Sequence, residues 1–291
     1  MSGILATWNS LHPEFWQMMM ADLSLLGQDG AGDWHDPRVG VSLGRTQLFN
    51  TPESCLERPV IEAEGCVLVW DGRLDDRTSL LAGKDPVTDA QLLIESYRRW
   101  GIDCLDYWVG EFALILWDRH QHRLLVGCDK TGQRSLSYHW NQETLLVCSR
   151  ALTLFRHPQV GKDLDQVYLA HTLADLGAHP PGSTPFAGIK RLLPGYALIL
   201  ERGQLQHRLV GKLNLCHTPG ASHAPEVYYE KFWHVLGQAV SDRLRSYRPV
   251  CTTLSGGLDS TTIAAALLKQ RSGLDAFSIV TDRHPEFDEK E

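Results

Sequence analysis

Residues 3 to 8, Gly-Ile-Leu-Ala-Thr-Trp, form a nearly unbroken apolar run, which predicts a strand beginning almost at the chain start. Pro13-Glu14 then opens a helical pattern that continues to Leu26. Val67-Leu68-Val69-Trp70 predicts a short strand ended by Asp71-Gly72. Residues 89–100 carry apolar positions at 92, 93 and 97 and stop at Gly101, as a helix does. Four short apolar runs follow at 111–118, 123–128, 137–140 and 145–148, separated by turn residues. Strands and helices are segregated over this stretch rather than alternating. That predicts a layered α+β domain built on largely antiparallel sheet.

A second helical pattern covers about 165–176, a Pro- and Gly-rich segment runs from 177 to 188, and a strand is expected at 196–200. Residues 209–225 read as a linker between a first domain, 1–208, and a second, 226–291. Beyond it the grammar changes to helix (225–245), apolar strand (250–254), Gly-Gly loop, helix (260–270) and strand (276–280). This is the opening of a parallel α/β domain.

The loop in that second domain, Ser255-Gly256-Gly257-Leu258-Asp259-Ser260, lies between a strand and a helix. In that setting backbone N–H groups and the positive end of a helix dipole point into one concavity, which suits an anion. The two glycines let the main chain approach a polyphosphate, and Ser255 and Ser260 add hydroxyl donors. Asp259 would repel phosphate unless Mg²⁺ bridged the two. No G-x-x-x-x-G-K-[ST] occurs, so no lysine is aimed at a γ-phosphate. The pattern is that of enzymes that split ATP to AMP and pyrophosphate.

Composition narrows this only slightly. With 43% hydrophobic and 22% charged residues, the chain has the make-up of a globular protein of one large or two ordinary domains. A formal charge of −7 without a basic cluster argues against nucleic acid as the main partner. The seven cysteines lack any C-x-x-C spacing, so neither a disulfide framework nor a zinc site is expected, and most should be small buried residues in a reducing compartment. The start Met-Ser-Gly-Ile has no basic leader, and the apolar stretch from Phe15 to Leu26 is broken by Gln17 and Asp22. The expectation is a cytoplasmic protein with no membrane segment.

The motifs taken in order resemble the asparagine synthetase family of class II amidotransferases. Gly27-Gln28-Asp29 stands where that family has Gly-Pro-Asp, and Asp71-Gly72-Arg73 where it has Asn-Gly-Glu. Gly110-Glu111-Phe112-Ala113 through Trp117-Asp118 resembles its core strand, and Cys128-Asp129-Lys130-Thr131-Gly132 its R-D-x-x-G turn. Phe186-Ala187-Gly188-Ile189 through Leu193-Pro194-Gly195 fits F-x-G-I-x-R-L-x-P-G. The resemblance implies an αββα sandwich of the N-terminal-nucleophile type, followed by the start of a pyrophosphate-loop synthetase domain. It implies glutamine contacts at Arg45, Asp71, Gly72 and Asp89. It also implies ATP contacts at Thr253, Ser255, Gly256, Gly257, Asp259, Ser260 and Ile279, with Mg²⁺ on Asp259. The reaction implied is adenylation of a small-molecule or peptide carboxylate, then amide formation with ammonia or an amine. A homodimer is compatible with it.

Two departures fall at one site. The family's nucleophile is a Cys after the initiator Met, and here that position is Ser2; the oxyanion-hole Asn is replaced by Asp71. An alcohol ionises far less readily than a thiol, and a carboxylate opposes a developing oxyanion. The expectation is a glutaminase-like domain that no longer hydrolyses glutamine, as in relatives that form lactams or macrolactams with an amine of the substrate itself. Only one helix and one strand follow the loop, so the synthetase domain is expected to be cut short and the chain alone to turn over nothing. The alternative from another class is a non-catalytic remnant serving as a scaffold.

Overall fold

The computed structural model describes residues 1–81, 88–174, 177–211 and 224–280. Contacts divide the chain into two units, Met1–Asn214 and Leu215–Glu291. Of the expected linker, residues 212–223 lie outside the described residues.

In the first unit, strands β1 (Gly3–Trp8), β2 (Gly30–Asp36), β3 (Val41–Gln47), β8 (Ser137–Trp140), β9 (Leu145–Cys148) and β10 (Lys190–Arg191) form one sheet. Strands β4 (Ile61–Ala63), β5 (Cys66–Leu74), β6 (Gly110–Asp118), β7 (Arg123–Cys128), β11 (Tyr196–Glu201) and β12 (Gln204–Leu209) form the other. The strand orders are β10-β8-β9-β1-β3-β2 and β12-β11-β7-β6-β5-β4, and every pairing within both sheets is antiparallel. Helices α1 (Pro13–Leu23), α2 (Thr78–Leu81), α3 (Asp89–Trp100), α4 (Cys104–Tyr107) and α5 (Gln166–Leu173) complete the unit.

The period of two along each strand sorts side chains into three cores. On β5, Val67 and Val69 meet Ile4, Ala6, Val41 and Leu43 of the opposite sheet. Cys66, Leu68 and Trp70, of the other parity, pack with Leu92, Leu93 and Tyr97 of α3. On β1, Leu5 turns the other way, onto Trp16, Met19 and Leu23 of α1. The result is the four-layer αββα sandwich expected. Because helices cover the outer faces, β5 is buried along its whole length, and its first part, Cys66 to Trp70, reads as a continuous apolar run.

Several sequence-based elements need correction in this unit: α2, α4, β4 and β10 were not expected, and α5 is shorter than the pattern at 165–176. β2 and β3 were not expected, since Gly-Ala-Gly-Asp-Trp-His-Asp and Val-Ser-Leu-Gly-Arg-Thr-Gln lack an apolar pattern. β12 was likewise missed, being a polar edge strand exposed along most of its length. The α1 pattern ends at Leu23 rather than Leu26. Asp71-Gly72 does not end β5, which runs to Leu74. Gly72 permits this: its φ is +146°, and a Cβ there would lie 2.1 Å from the Glu111 carbonyl oxygen.

The second unit contains α6 (Pro225–Arg243), β13 (Cys251–Thr253), α7 (Leu258–Leu268) and β14 (Asp275–Phe277), with β13 and β14 parallel. A small core of Val240, Ala266 and Leu267 joins α6 to α7. The last helix starts at Leu258, two residues earlier than expected, and the last strand stops at Phe277 rather than at 280. Ile279 therefore sits beyond the strand, 85% exposed.

Candidate functional site

Ser2 precedes β1 and shares the parity of Ile4 and Ala6, while Asp71 on β5 shares that of Val67 and Val69. Both therefore face the space between the sheets, and each is 2% exposed. Packing of the two sheets joins them across 69 positions: the Ser2 N–H donates to Asp71 Oδ1 at 2.6 Å. The Ser2 hydroxyl accepts from the Leu48 N–H at 3.0 Å, so its hydrogen-bond partner is a donor rather than a base. Gly3 is tied down by its N–H to Thr46 Oγ1, which donates to the Leu23 carbonyl.

Arg134 completes this cluster. Its Nη1 is 3.4 Å from Asp71 Oδ2 and its Nη2 3.3 Å from Glu111 Oε1. What holds Arg134 there is the turn after β7. The Asp129 carboxylate accepts from the backbone N–H groups of Phe112, Thr131, Gln133 and Arg134 and from the Thr131 hydroxyl. Burial opposes ionisation of Asp129, but these donors, Thr131 foremost, hold its carboxyl below the usual value. The chain start thus faces Asp71, Arg134, Asp29 and Glu111. Burial lowers the pKa of the Met1 ammonium, while the three carboxylates work against that shift.

Arg45 and Asp89 are not surface charges. Arg45 is 2% exposed, its Nη1 is 3.3 Å from Glu57 Oε2, and its guanidinium lies 5.6 Å from the Trp70 ring centre. Glu57 also accepts from Trp70 Nε1 at 3.0 Å and from the Ala90 N–H at 3.0 Å. Burial pushes the Glu57 carboxyl up, with Arg45 and these donors opposing it, and burial lowers Arg45, with Glu57 opposing it. Asp89, 1% exposed, accepts from the Leu74 N–H at 3.0 Å and pairs with Arg77 Nε at 2.9 Å. Gly72 contributes its carbonyl, which accepts from Asn50 Nδ2 at 2.9 Å. Sequence reasoning missed Glu57, Arg77, Glu111 and Arg134 as members of this region. No periodic pattern marks them, and each meets its partner only through folding.

In the second unit, Thr253 ends β13, Gly256 has φ +77°, and Gly257 caps α7. The Ser255 N–H donates to Ser260 Oγ at 3.2 Å, and the two hydroxyls are 3.1 Å apart. Because α7 starts at Leu258, Asp259 and Ser260 lie in its first turn, beside the free N–H groups of the helix end. The loop is exposed, Ser255 and Ser260 meet within it, and Ile279 stands past the end of β14. No group of three His, Cys, Asp or Glu among the described residues could hold a metal on protein ligands alone. Mg²⁺ on Asp259 would therefore draw its remaining ligands from phosphate and water.

The cysteines behave as expected in part. Cys66, Cys104, Cys128 and Cys148 are buried, and burial pushes Cys128 and Cys148 up to about 12. Cys55 and Cys251 are exposed, and Cys216 lies outside the described residues. No described helix is long and apolar enough to cross a membrane.

Two facing six-stranded antiparallel sheets between helices, with the chain start at their interface, define a class II glutamine amidotransferase fold. In keeping with this, the structure superposes on the glutamine phosphoribosylpyrophosphate amidotransferase of B. subtilis complexed with ADP and GMP. The TM-score is 0.51 at 14% identity, covering 96% of this chain and 66% of that one, a likeness of fold alone. Residues 1–209 match the family model of the glutamine amidotransferase domain, and residues 231–291 match that of asparagine synthase. With both domains in this order, the chain belongs to the asparagine synthetase family. It is 30% identical over 260 residues to asparagine synthetase [glutamine-hydrolyzing] 3 of Bacillus subtilis, covering 85% of this chain and 41% of that protein. It is 29% identical over 193 residues to the amidase chyE of Penicillium rubens, covering 64% of this chain and 28% of that protein. The chain thus spans well under half the length of these relatives.

Proposed function

We propose that this chain belongs to an AMP-forming carbon–nitrogen ligase that adenylates a carboxylate and joins it to an amine, and whose amidotransferase-like unit does not hydrolyse glutamine. The ligase half rests on the loop at 255–260. A positive φ at Gly256, a glycine cap on α7 and two converging hydroxyls make a cradle for pyrophosphate. Ser255, Gly256, Gly257 and Ser260 would hold the phosphates and Asp259 the Mg²⁺, which offsets charge on the leaving pyrophosphate.

The single observation that carries the loss of glutaminase action is the Asp71 carboxylate, 2.6 Å from the Ser2 nitrogen. Once Met1 is removed, that nitrogen is a terminal amine beside a carboxylate, and an adjacent carboxylate favours the protonated form over the free base that attack would need. The same carboxylate stands where an oxyanion would form, and repels it. An amine carried by the substrate, giving a lactam or macrolactam, fits this site better than ammonia.

Two assays test the proposal. Glutamate release from glutamine should be undetectable for the wild-type protein, and a turnover abolished by Ser2→Ala would refute the amidase half. ATP–pyrophosphate exchange by a ligase carrying this chain together with a complete synthetase domain, in the presence of the cognate carboxylate, should depend on Mg²⁺ and vanish in Asp259→Asn; exchange unaffected by that change would refute the ligase half.

A further inference from the structure

Leu5 turns outward onto α1, and the helical layer there holds a cavity that shares no residue with the Ser2–Asp71 cluster. Its volume is about 560 Å³, the size of a small-molecule site. Leu25, Leu152 and Phe155 form the apolar part of its lining, and Asp22, Arg150, Arg156 and Lys162 the charged part. The walls are held in place by the fold. Leu154 anchors the 3-10 helix Ala151–Arg156 in the core that it shares with Trp16, Met19 and Leu23 of α1. The Phe155 ring meets Phe186 edge-on with ring centres 4.7 Å apart. Arg156 Nε and Nη2 each donate to the Asp22 carboxylate at 2.9 Å, a bidentate clamp from the 3-10 helix to α1. These bonds hold the Asp22 carboxyl below its usual value, so it stays ionised on Arg156.

The charges of the lining do not cancel. Arg156 takes its one carboxylate, and neither Arg150 nor Lys162 has an ion-pair partner among the described residues. On a chain of formal charge −7, two cations are thus left beside leucines exposed to 68% at Leu25 and 54% at Leu152. Exposed leucines gain from an apolar body laid over them, and the cations from an oxyanion. We propose that this cavity binds an amphipathic oxyanion, a carboxylate or phosphate head on an alkyl or aryl body. Arg150 and Lys162 hold the head, Leu25, Leu152 and Phe155 receive the body, and the Asp22–Arg156 clamp keeps the two walls together. The site stands apart from the ligase and amidase readings, since none of its residues takes part in either.

The test titrates the full chain with octanoate and with octyl phosphate, followed by ligand-observed NMR. The wild type should bind at least one of them with a Kd of about 1 mM or below, and the tighter binder names the head group. Octylamine, with the same tail and the opposite charge, should not bind. Each methylene removed from the tail should weaken binding about four-fold while the tail still lies on the leucines. Arg150→Gln/Lys162→Gln should weaken it about ten-fold or more, because the charge-assisted bonds to the head are lost. That pair leaves the Asp22–Arg156 clamp intact, so its melting point should match the wild type; if it does not fold, octylamine and the tail series on the wild type decide. The proposal is overturned if neither anion binds the wild type, if octylamine binds as tightly as octanoate, if shortening the tail changes nothing, or if the folded double variant keeps the wild-type affinity.

Discussion

Asp129→Ala should unfold the first unit far more easily, and the size of the effect follows from where the lost hydrogen bonds go. The carboxylate is 1% exposed and accepts five hydrogen bonds. Thr131 and Gln133 are exposed, so their N–H groups can turn to water once the acceptor is gone. The Phe112 N–H is buried and that of Arg134 half-buried, and each stays without a partner at about 1–3 kcal/mol. The sum is about 4 kcal/mol, a shift of roughly 2 M in the urea midpoint for a slope of about 2 kcal/mol per M. Tryptophan fluorescence reports on this unit, since eight of the nine tryptophans precede residue 214. The pH dependence carries a sign. A carboxyl held below its unfolded value of 3.8 stabilises fully above that pH and stops doing so as pH falls through the lower folded value. The wild type should therefore lose this contribution below about pH 4, and the variant should lack that part of the acid limb. A loss under about 1 kcal/mol at neutral pH would refute the accounting of unsatisfied donors.

Gly72→Ala places a Cβ 2.1 Å from the Glu111 carbonyl oxygen at a φ of +146°, so the β5–β6 pairing must part. A destabilisation of about 4 kcal/mol or more, seen as lost soluble yield or a lowered melting point, is expected. His157 is 1% exposed and accepts from the Gln159 N–H at Nδ1, so its Nε2–H donates to Ser10 Oγ. Burial, then His12 and His139, lower its pKa below 6.5, and stability complete above that pH should fall as pH drops beneath it; His157→Phe should flatten the slope below about pH 6.5. A disulfide-exchange reagent near pH 8 should label Cys55 and Cys251 rapidly. Cys66, raised by burial to about 11, and Cys128 and Cys148, raised to about 12, should react only on unfolding. Equal rates for all five thiols would contradict the burial.

Much of this molecule was legible as sequence wherever burial follows a period. β1, α3, β7, β8 and β9 fall where the apolar pattern put them, since each shows a hydrophobic face to a core. β2 and β3 were not legible. β3 is buried along its length yet carries Ser42, Arg45, Thr46 and Gln47, polar residues that build the site rather than the core. The Asp71-Gly72 pair looks like a turn because those residues favour turns, but strand pairing with Phe112 and Ala113 overrides that preference.

The sequence by itself determined the family grammar and the residue types at positions 2, 71 and 255–260, because these depend only on residue identity at fixed spacing. Only the tertiary structure decided what meets them. Asp71 reaches the Ser2 nitrogen because two sheets bring positions 69 apart to one interface, and Arg134 reaches Asp71 because Asp129 folds the turn that carries it. Glu57 on Arg45 and Arg77 on Asp89 are likewise meetings between distant segments. Which charge meets which is a property of packing, and it leaves no periodic trace along the chain.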